Sequence, residues 1–176
     1  MYVDLTQLEH DELRVEYEYA AGELELDDAE IALCVPPRVR FRLQRLGLEI
    51  RIQGQIEAEV EVHCDRCLSA FRLAVTPDFD VFYAPLAVLM PEEEVQLTER
   101  DLQFGFYQNE LIDIDALVRE QIRLALPFRL LCREDCRGLC PQCGADLNHE
   151  TCRCAPPQVD ARWAALWELK RRMEGV

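Results

Sequence analysis

Eight of the nine cysteines stand in four close pairs, Cys64–Cys67, Cys132–Cys136, Cys140–Cys143 and Cys152–Cys154. A closed structural zinc site takes four soft ligands at the corners of a tetrahedron. Four pairs match two such sites, so two Zn2+ ions are the expected cofactors. Spacers of one to three residues make turns that put two sulfurs on one ion. Gly138, Pro141 and Gly144 let the run CREDCRGLCPQCGADLN curl around it. A disulfide framework would need an oxidising compartment. The opening stretch MYVDLTQLEHDEL is polar and acidic, unlike a signal segment. A single CxxC would leave dithiol redox chemistry equally open. Four pairs, three of them in residues 132–154, argue for metal.

Distance along the chain suggests how the pairs divide. Cys140, Cys143, Cys152 and Cys154 are close together, and the loop GADLNHET is short enough to return to the ion. Cys64 and Cys67 then join Cys132 and Cys136. That site closes a loop of some sixty residues, and its ion would add folding energy. His63 and His149 flank the sites and read as neighbours rather than ligands. Cys34, in the apolar stretch IALCV, reads as a small buried hydrophobe.

The elements that must position these sulfurs change period along the chain. Arg14–Tyr19, Arg38–Leu43, Leu48–Ile52 and Ile56–Val62 alternate polar with apolar residues, as half-buried strands do. Gly47 and Gly54 are expected to punctuate this series. The last strand runs into Cys64, so the first pair is expected on a turn, with Ala70–Val75 as exit strand and Phe79–Phe82 following. Residues 84–100, with Pro85, Pro91 and Glu92–Glu94, read as an acidic surface loop. From Asp113 the apolar residues Ile114, Leu117, Val118, Ile122, Ala125 and Leu126 follow helical spacing, and Pro127 stops the run. Pro156 and Pro157 break the chain again. Asp160 stands where a helix cap belongs, before Trp163, Leu166, Trp167 and Lys170. This stripe reads first as a helix docking on its own core, and second as a surface for a partner.

The expected class is therefore α+β. An antiparallel sheet is packed by an amphipathic helix over residues 1–130. A zinc-stapled, cysteine-rich tail of the zinc-ribbon kind and a C-terminal helix follow over 131–176.

The formal net charge is −15 and is unevenly spread. Residues 1–37 hold eleven acids and one arginine; residues 111–176 hold ten of each sign. An acidic protein steers toward basic partners, while phosphate binding needs clustered cations. No apolar run approaches the ~18 residues that span a bilayer. The expectation is a cytoplasmic protein without membrane or small-molecule partners. Eighteen of the 19 basic residues are arginine, whose fork suits phosphate. Candidate contacts to RNA or a partner are Arg38, Arg40 and Arg42, on one strand face with Arg45 near, and Arg129, Arg133, Arg137 and Arg153 around the cysteines. The plainer reading pairs the strand arginines with acids such as Glu57, Glu59 and Glu61, and lets the tail arginines balance thiolate charge.

The order CDRCL, acidic loop, LALPF, CREDCRGLCPQCGADLN, CRC and DAR resembles the bacterial YceD-like family, the large ribosomal RNA subunit accumulation proteins. The resemblance covers residues 38–170, and residues 1–37 add little to it. It implies a part in ribosome biogenesis, through accumulation or processing of large-subunit rRNA. The expected partner is a ribosomal protein, an assembly factor or precursor large-subunit rRNA. No catalytic residues carry over, and a non-enzymatic role is expected: closed thiolate sites leave no open coordination position for hydrolysis. The competing readings are a thiol oxidoreductase and a redox-switched chaperone that sheds zinc on oxidation.

Overall fold

The computed structural model describes residues 1–8, 11–86, 104–154 and 161–174. It forms two compact units, Met1–Cys136 and Arg137–Val176. Among the described residues, the first unit holds nine strands and an α-helix: β1 (Tyr2–Asp4), β2 (Glu12–Glu18), β3 (Ala32–Leu33), β4 (Arg38–Leu46), β5 (Glu49–His63), β6 (Ala70–Val75), β7 (Asp78–Pro85), β8 (Phe104–Tyr107), β9 (Leu111–Asp113) and α1 (Ile114–Leu124). The second carries Cys140 and Cys143 on a turn and Cys152 and Cys154 in irregular chain, and includes α2 (Ala164–Glu174). The class is α+β. The sheet is antiparallel except where β7 and β8 run parallel.

The fifteen-residue strand β5 organises the first unit. Its even-numbered residues Ile50, Ile52, Ile56, Val60 and Val62 are fully buried, while Arg51, Gln53, Gln55, Glu57 and Glu59 face the polar side. Each fully buried Ile contributes roughly 1.5–3 kcal/mol by leaving water. β4 pairs along the first half of β5 after a two-residue turn, where Gly47 takes φ 71°. On the other edge, β6 and β7 pair with β5 in one uninterrupted register, from His63↔Ala70 to Ile50↔Tyr83. The Ile56 N–H donates to the Pro77 carbonyl across the joint at 3.0 Å. Strands β5, β6 and β7 are thus a single long hairpin, and its tip is Cys64–Ser69.

Gly54 corrects one expectation. It does not separate two strands but lies inside β5, opposite Phe41 on β4 and Phe79 on β7. A Cβ there would sit 2.3 Å from the Arg40 carbonyl oxygen and 2.7 Å from Phe41 Cβ. The glycine marks a close approach of backbone rather than a break.

Helix α1 starts as its sequence requires. The Asp113 side chain accepts from Ala116 N–H at 3.1 Å, and Ile114, Leu117, Val118 and Ile122 fill the core. β1 and β9 pair beside the helix start, a pairing the period of residues 1–8 does not reveal. The N-terminal amine pairs with Asp115, which also accepts from the Tyr19 hydroxyl at 2.8 Å.

The acidic run Glu92–Glu94 and the helix cap expected at Asp160 lie outside the described residues. Of the expected apolar stripe on the last helix, Trp163, Leu166 and Trp167 are at least half exposed. No helix among the described residues is long and apolar enough to cross a membrane.

Candidate metal centres

The hairpin tip brings Cys64 and Cys67 to Cys132 and Cys136. Cys64 Sγ lies 3.8 Å from Cys136 Sγ, and Cys67 Sγ 3.7 Å from Cys132 Sγ. In the second unit Cys143 Sγ lies 3.7 Å from Cys152 Sγ, and Cys152 Sγ 3.3 Å from Cys140 Sγ; Cys154 completes the set. Within each set of four, all sulfurs lie within 4.8 Å of one another. A tetrahedron with metal–sulfur bonds of about 2.3 Å has sulfurs about 3.8 Å apart. The spacing and the all-thiol donor set therefore suit one tetrahedral ion each. None of the nine cysteines is joined in a disulfide.

Both CxxC turns are built alike. In the first, Leu68 N–H donates to the Cys64 carbonyl at 2.9 Å and Cys64 N–H to the Ser69 carbonyl at 3.0 Å. In the second, Gly144 N–H donates to the Cys140 carbonyl at 2.9 Å and Cys140 N–H to the Ala145 carbonyl at 2.8 Å. The residue after each second cysteine has positive φ, 58° at Leu68 and 74° at Gly144. Glycine adopts this conformation without penalty, and leucine does so under strain.

The turn also prepares charge. Burial opposes ionisation of Cys64, but backbone N–H groups of Cys132, Cys67 and Arg66 outweigh it and bring the thiol down to about 6. At Cys140 the backbone N–H groups of Cys143 and Gln142, with the Cys152 thiol, bring it down to about 6. The Ser69 hydroxyl holds Cys67 below the usual thiol range. Cys132, by contrast, is pushed up to about 12 by burial and the Cys67 thiol, and Cys154 to about 12 by Cys152 and Cys143. Four thiolates at this spacing repel, and only a cation at their centre lets all four stay ionised.

Residues the cysteine spacing does not advertise lock the first centre. Asp65 N–H donates to the Leu130 carbonyl at 2.8 Å, and Leu130 N–H donates back to Asp65 Oδ2 at 2.7 Å. Arg66 Nη1 donates to the Cys136 carbonyl at 2.7 Å. In the second centre Asn148 Oδ1 accepts from Arg137 N–H at 2.8 Å, and Asp146 Oδ1 accepts from Asn148 N–H at 2.9 Å. The signal in sequence was the pair of residues inside CDRC and the closing DLN.

His63 ends β5 exposed, and His149 is exposed with its Nε2 3.8 Å from Asp146; neither belongs to a sulfur set. Cys34 lies half-buried beside β5, its N–H donating to the Glu59 carbonyl at 2.8 Å, and burial raises its thiol.

The strand arginines are paired. Arg38 meets Glu18 at 2.7 Å, Arg42 meets Glu12 at 2.7 Å, and Arg40 pairs with Glu57. Arg45 donates to the Leu5 carbonyl at 2.7 Å. Arg133 lies 3.4 Å from Asp135, while Arg129, Arg137 and Arg153 are exposed.

Comparison with known proteins finds relatives of this sequence. An uncharacterised protein of Mycobacterium tuberculosis is 32% identical over 129 residues, covering 73% of this chain and 59% of the relative. The chain thus spans less than two thirds of the mycobacterial relatives it matches. A protein of Arabidopsis thaliana named large ribosomal RNA subunit accumulation protein YCED homolog 1, chloroplastic, is 22% identical over 164 residues, covering 79% of this chain and 50% of the relative. The uncharacterised protein YlbN of Bacillus subtilis is 26% identical over 152 residues, with 86% of this chain and 84% of the relative covered. No solved structure matches the chain. The family model spans residues 52–170, from the rising arm of the hairpin through both sulfur sets, and on that match the chain belongs to the family of the large ribosomal RNA subunit accumulation protein YceD.

Proposed function

We propose that the chain is a non-enzymatic, zinc-binding factor for accumulation of large-subunit rRNA, acting in the cytoplasm by holding a basic ribosomal protein or assembly factor. The observation that carries this reading is the closure of both centres. Every corner of each tetrahedron is a protein sulfur, which leaves no corner for water or substrate. Soft all-sulfur sets suit zinc, and an ion held this way shapes backbone rather than reacting.

The partner follows from charge. With a net charge of −15, and with Arg38, Arg40 and Arg42 each on a neighbouring carboxylate, the sheet offers little to a phosphate backbone and much to a basic protein. Arg129, Arg137 and Arg153 leave precursor rRNA as the second reading, since zinc knuckles contact RNA through such side chains.

Elemental analysis of the purified protein is expected to return two zinc per chain. Affinity capture from the protein's own cell extract is expected to recover large-subunit precursors. Contact through protein predicts capture that survives nuclease treatment. RNA contact predicts nuclease-sensitive capture and a steep salt dependence that Ala at Arg129, Arg137 and Arg153 flattens. Capture free of ribosomal material overturns the reading.

A further inference from the structure

We propose that Cys143 and Cys152 form a peroxide-sensitive thiol pair whose oxidation expels the ion of the second centre and leaves the first intact. The proposal rests on the metal reading above. Its basis is a difference in cover between two centres that share one turn geometry. In the first, Cys64, Cys67 and Cys136 are 0%, 6% and 3% exposed, and Cys132 alone is half-buried. In the second, only Cys140 is buried, at 7%, while Cys143 is exposed and Cys152 half-buried.

Their anchoring differs as well. The first centre draws ligands from segments 65 residues apart, and the Asp65–Leu130 and Arg66–Cys136 hydrogen bonds clamp those segments together. Three of its four sulfurs meet a small oxidant only when the hairpin tip parts from residues 130–136, so a disulfide within the set requires that opening. The second centre lies wholly within residues 140–154, held by local bonds such as Leu147 N–H to the Gly138 carbonyl at 2.9 Å. Opening it disturbs one short loop. Oxidation of thiolates follows exposure and access.

The chemistry needs one hydrogen peroxide. The Cys143 thiolate attacks a peroxide oxygen: an S–O bond forms and the O–O bond breaks. The hydroxide released takes a proton and leaves as water, and the sulfur, oxidised by two electrons, is a sulfenic acid. The Cys152 thiolate, 3.7 Å away, then attacks that sulfur. An S–S bond forms, the S–O bond breaks, and a second hydroxide leaves as water after taking a proton. A disulfide between residues nine apart in sequence closes an ordinary small loop. The ion keeps two thiolates of four and dissociates.

The test uses the full-length protein as isolated, with Cys34→Ala to remove the lone thiol. Metal is first counted by elemental analysis. Hydrogen peroxide is then added stepwise while a metallochromic dye reports released ion and differential alkylation with mass spectrometry maps each cysteine. One ion is expected to leave about tenfold faster than the other. At that stage Cys143 and Cys152 are joined, Cys64, Cys67, Cys132 and Cys136 remain reduced, and β-sheet circular dichroism is unchanged. Loss of both ions together, first oxidation in the Cys64 set, or retention of both ions at a dose that oxidises free cysteine overturns this proposal alone. Protein that holds no metal as isolated overturns the metal reading, and this proposal with it.

Discussion

Severing the first centre should loosen the whole of the first unit, whereas severing the second should loosen only its own loop. The perturbations are the double variants Cys64→Ser/Cys67→Ser and Cys152→Ser/Cys154→Ser, each of which removes one arm of one clamp. The Cys67–Cys132 tie closes 65 residues, and the Cys143–Cys152 tie closes nine. In the chain-entropy treatment of a cross-link, such loops are worth about 4 and about 2.5 kcal/mol. The buried position of Cys64, left with a hydroxyl in place of a metal-bound sulfur, adds about 1 kcal/mol. The first variant should therefore lose about 5 kcal/mol of global stability. Native-state hydrogen exchange reads this directly. The slowest amides on β5, at Ile52, Ile56 and Val60, should exchange by global opening and speed up by more than about a thousandfold. In the second variant the same amides should stay within about 0.5 kcal/mol of the parent, because additivity holds for independent regions. Protection at Gly144 and Leu147, whose N–H groups close the second turn, should vanish. Equal losses on β5 in the two variants, or a first variant that opens only around residues 64–69 and 130–136, would refute the argument that loop length sets the contribution.

Other outcomes follow from single positions. Gly54→Ala should cost about 2–3 kcal/mol in urea denaturation, since its Cβ meets the Arg40 carbonyl and the base of Phe41, neither of which can swing away. Gly144→Ala should cost about 1 kcal/mol through positive φ alone, because nothing lies within 4 Å of the added carbon. Leu68→Gly should be neutral within about 0.5 kcal/mol in the same assay, as relief at φ 58° offsets the glycine's freedom in the unfolded chain. The Arg51 guanidinium beside Asp80 holds its carboxyl below the ordinary value. That carboxylate stabilises the fold above its unfolded pKa, and the contribution disappears as pH falls through the folded one. Asp80→Asn should thus flatten the acid limb of a stability-against-pH curve and leave the alkaline limb unchanged.

Much of this molecule is written locally. Helix α1 announces itself through Asp113, the apolar spacing of Ile114 to Ile122, and Pro127, because capping and period depend only on neighbours in the chain. The hairpin arms show in their alternation, since half-burial imposes a period of two on any strand. The turns of both CxxC pairs could be placed from spacing, because a short turn is a local object. Other features depend on residues remote in sequence. Gly54 reads as punctuation until Phe41 and Phe79 are seen on either side of it. The strand at Tyr2–Asp4 exists because Leu111–Asp113 offers it an edge, and three residues carry no period of their own. The roles of Asp65 and Arg66 depend on Leu130 and Cys136 arriving some 65–70 residues later. The unequal cover of the two sulfur sets is likewise invisible in a spacing of cysteines. A ligand set is a matter of residue type and separation, but accessibility belongs to whatever packs around it, and that packing forms only when distant segments meet.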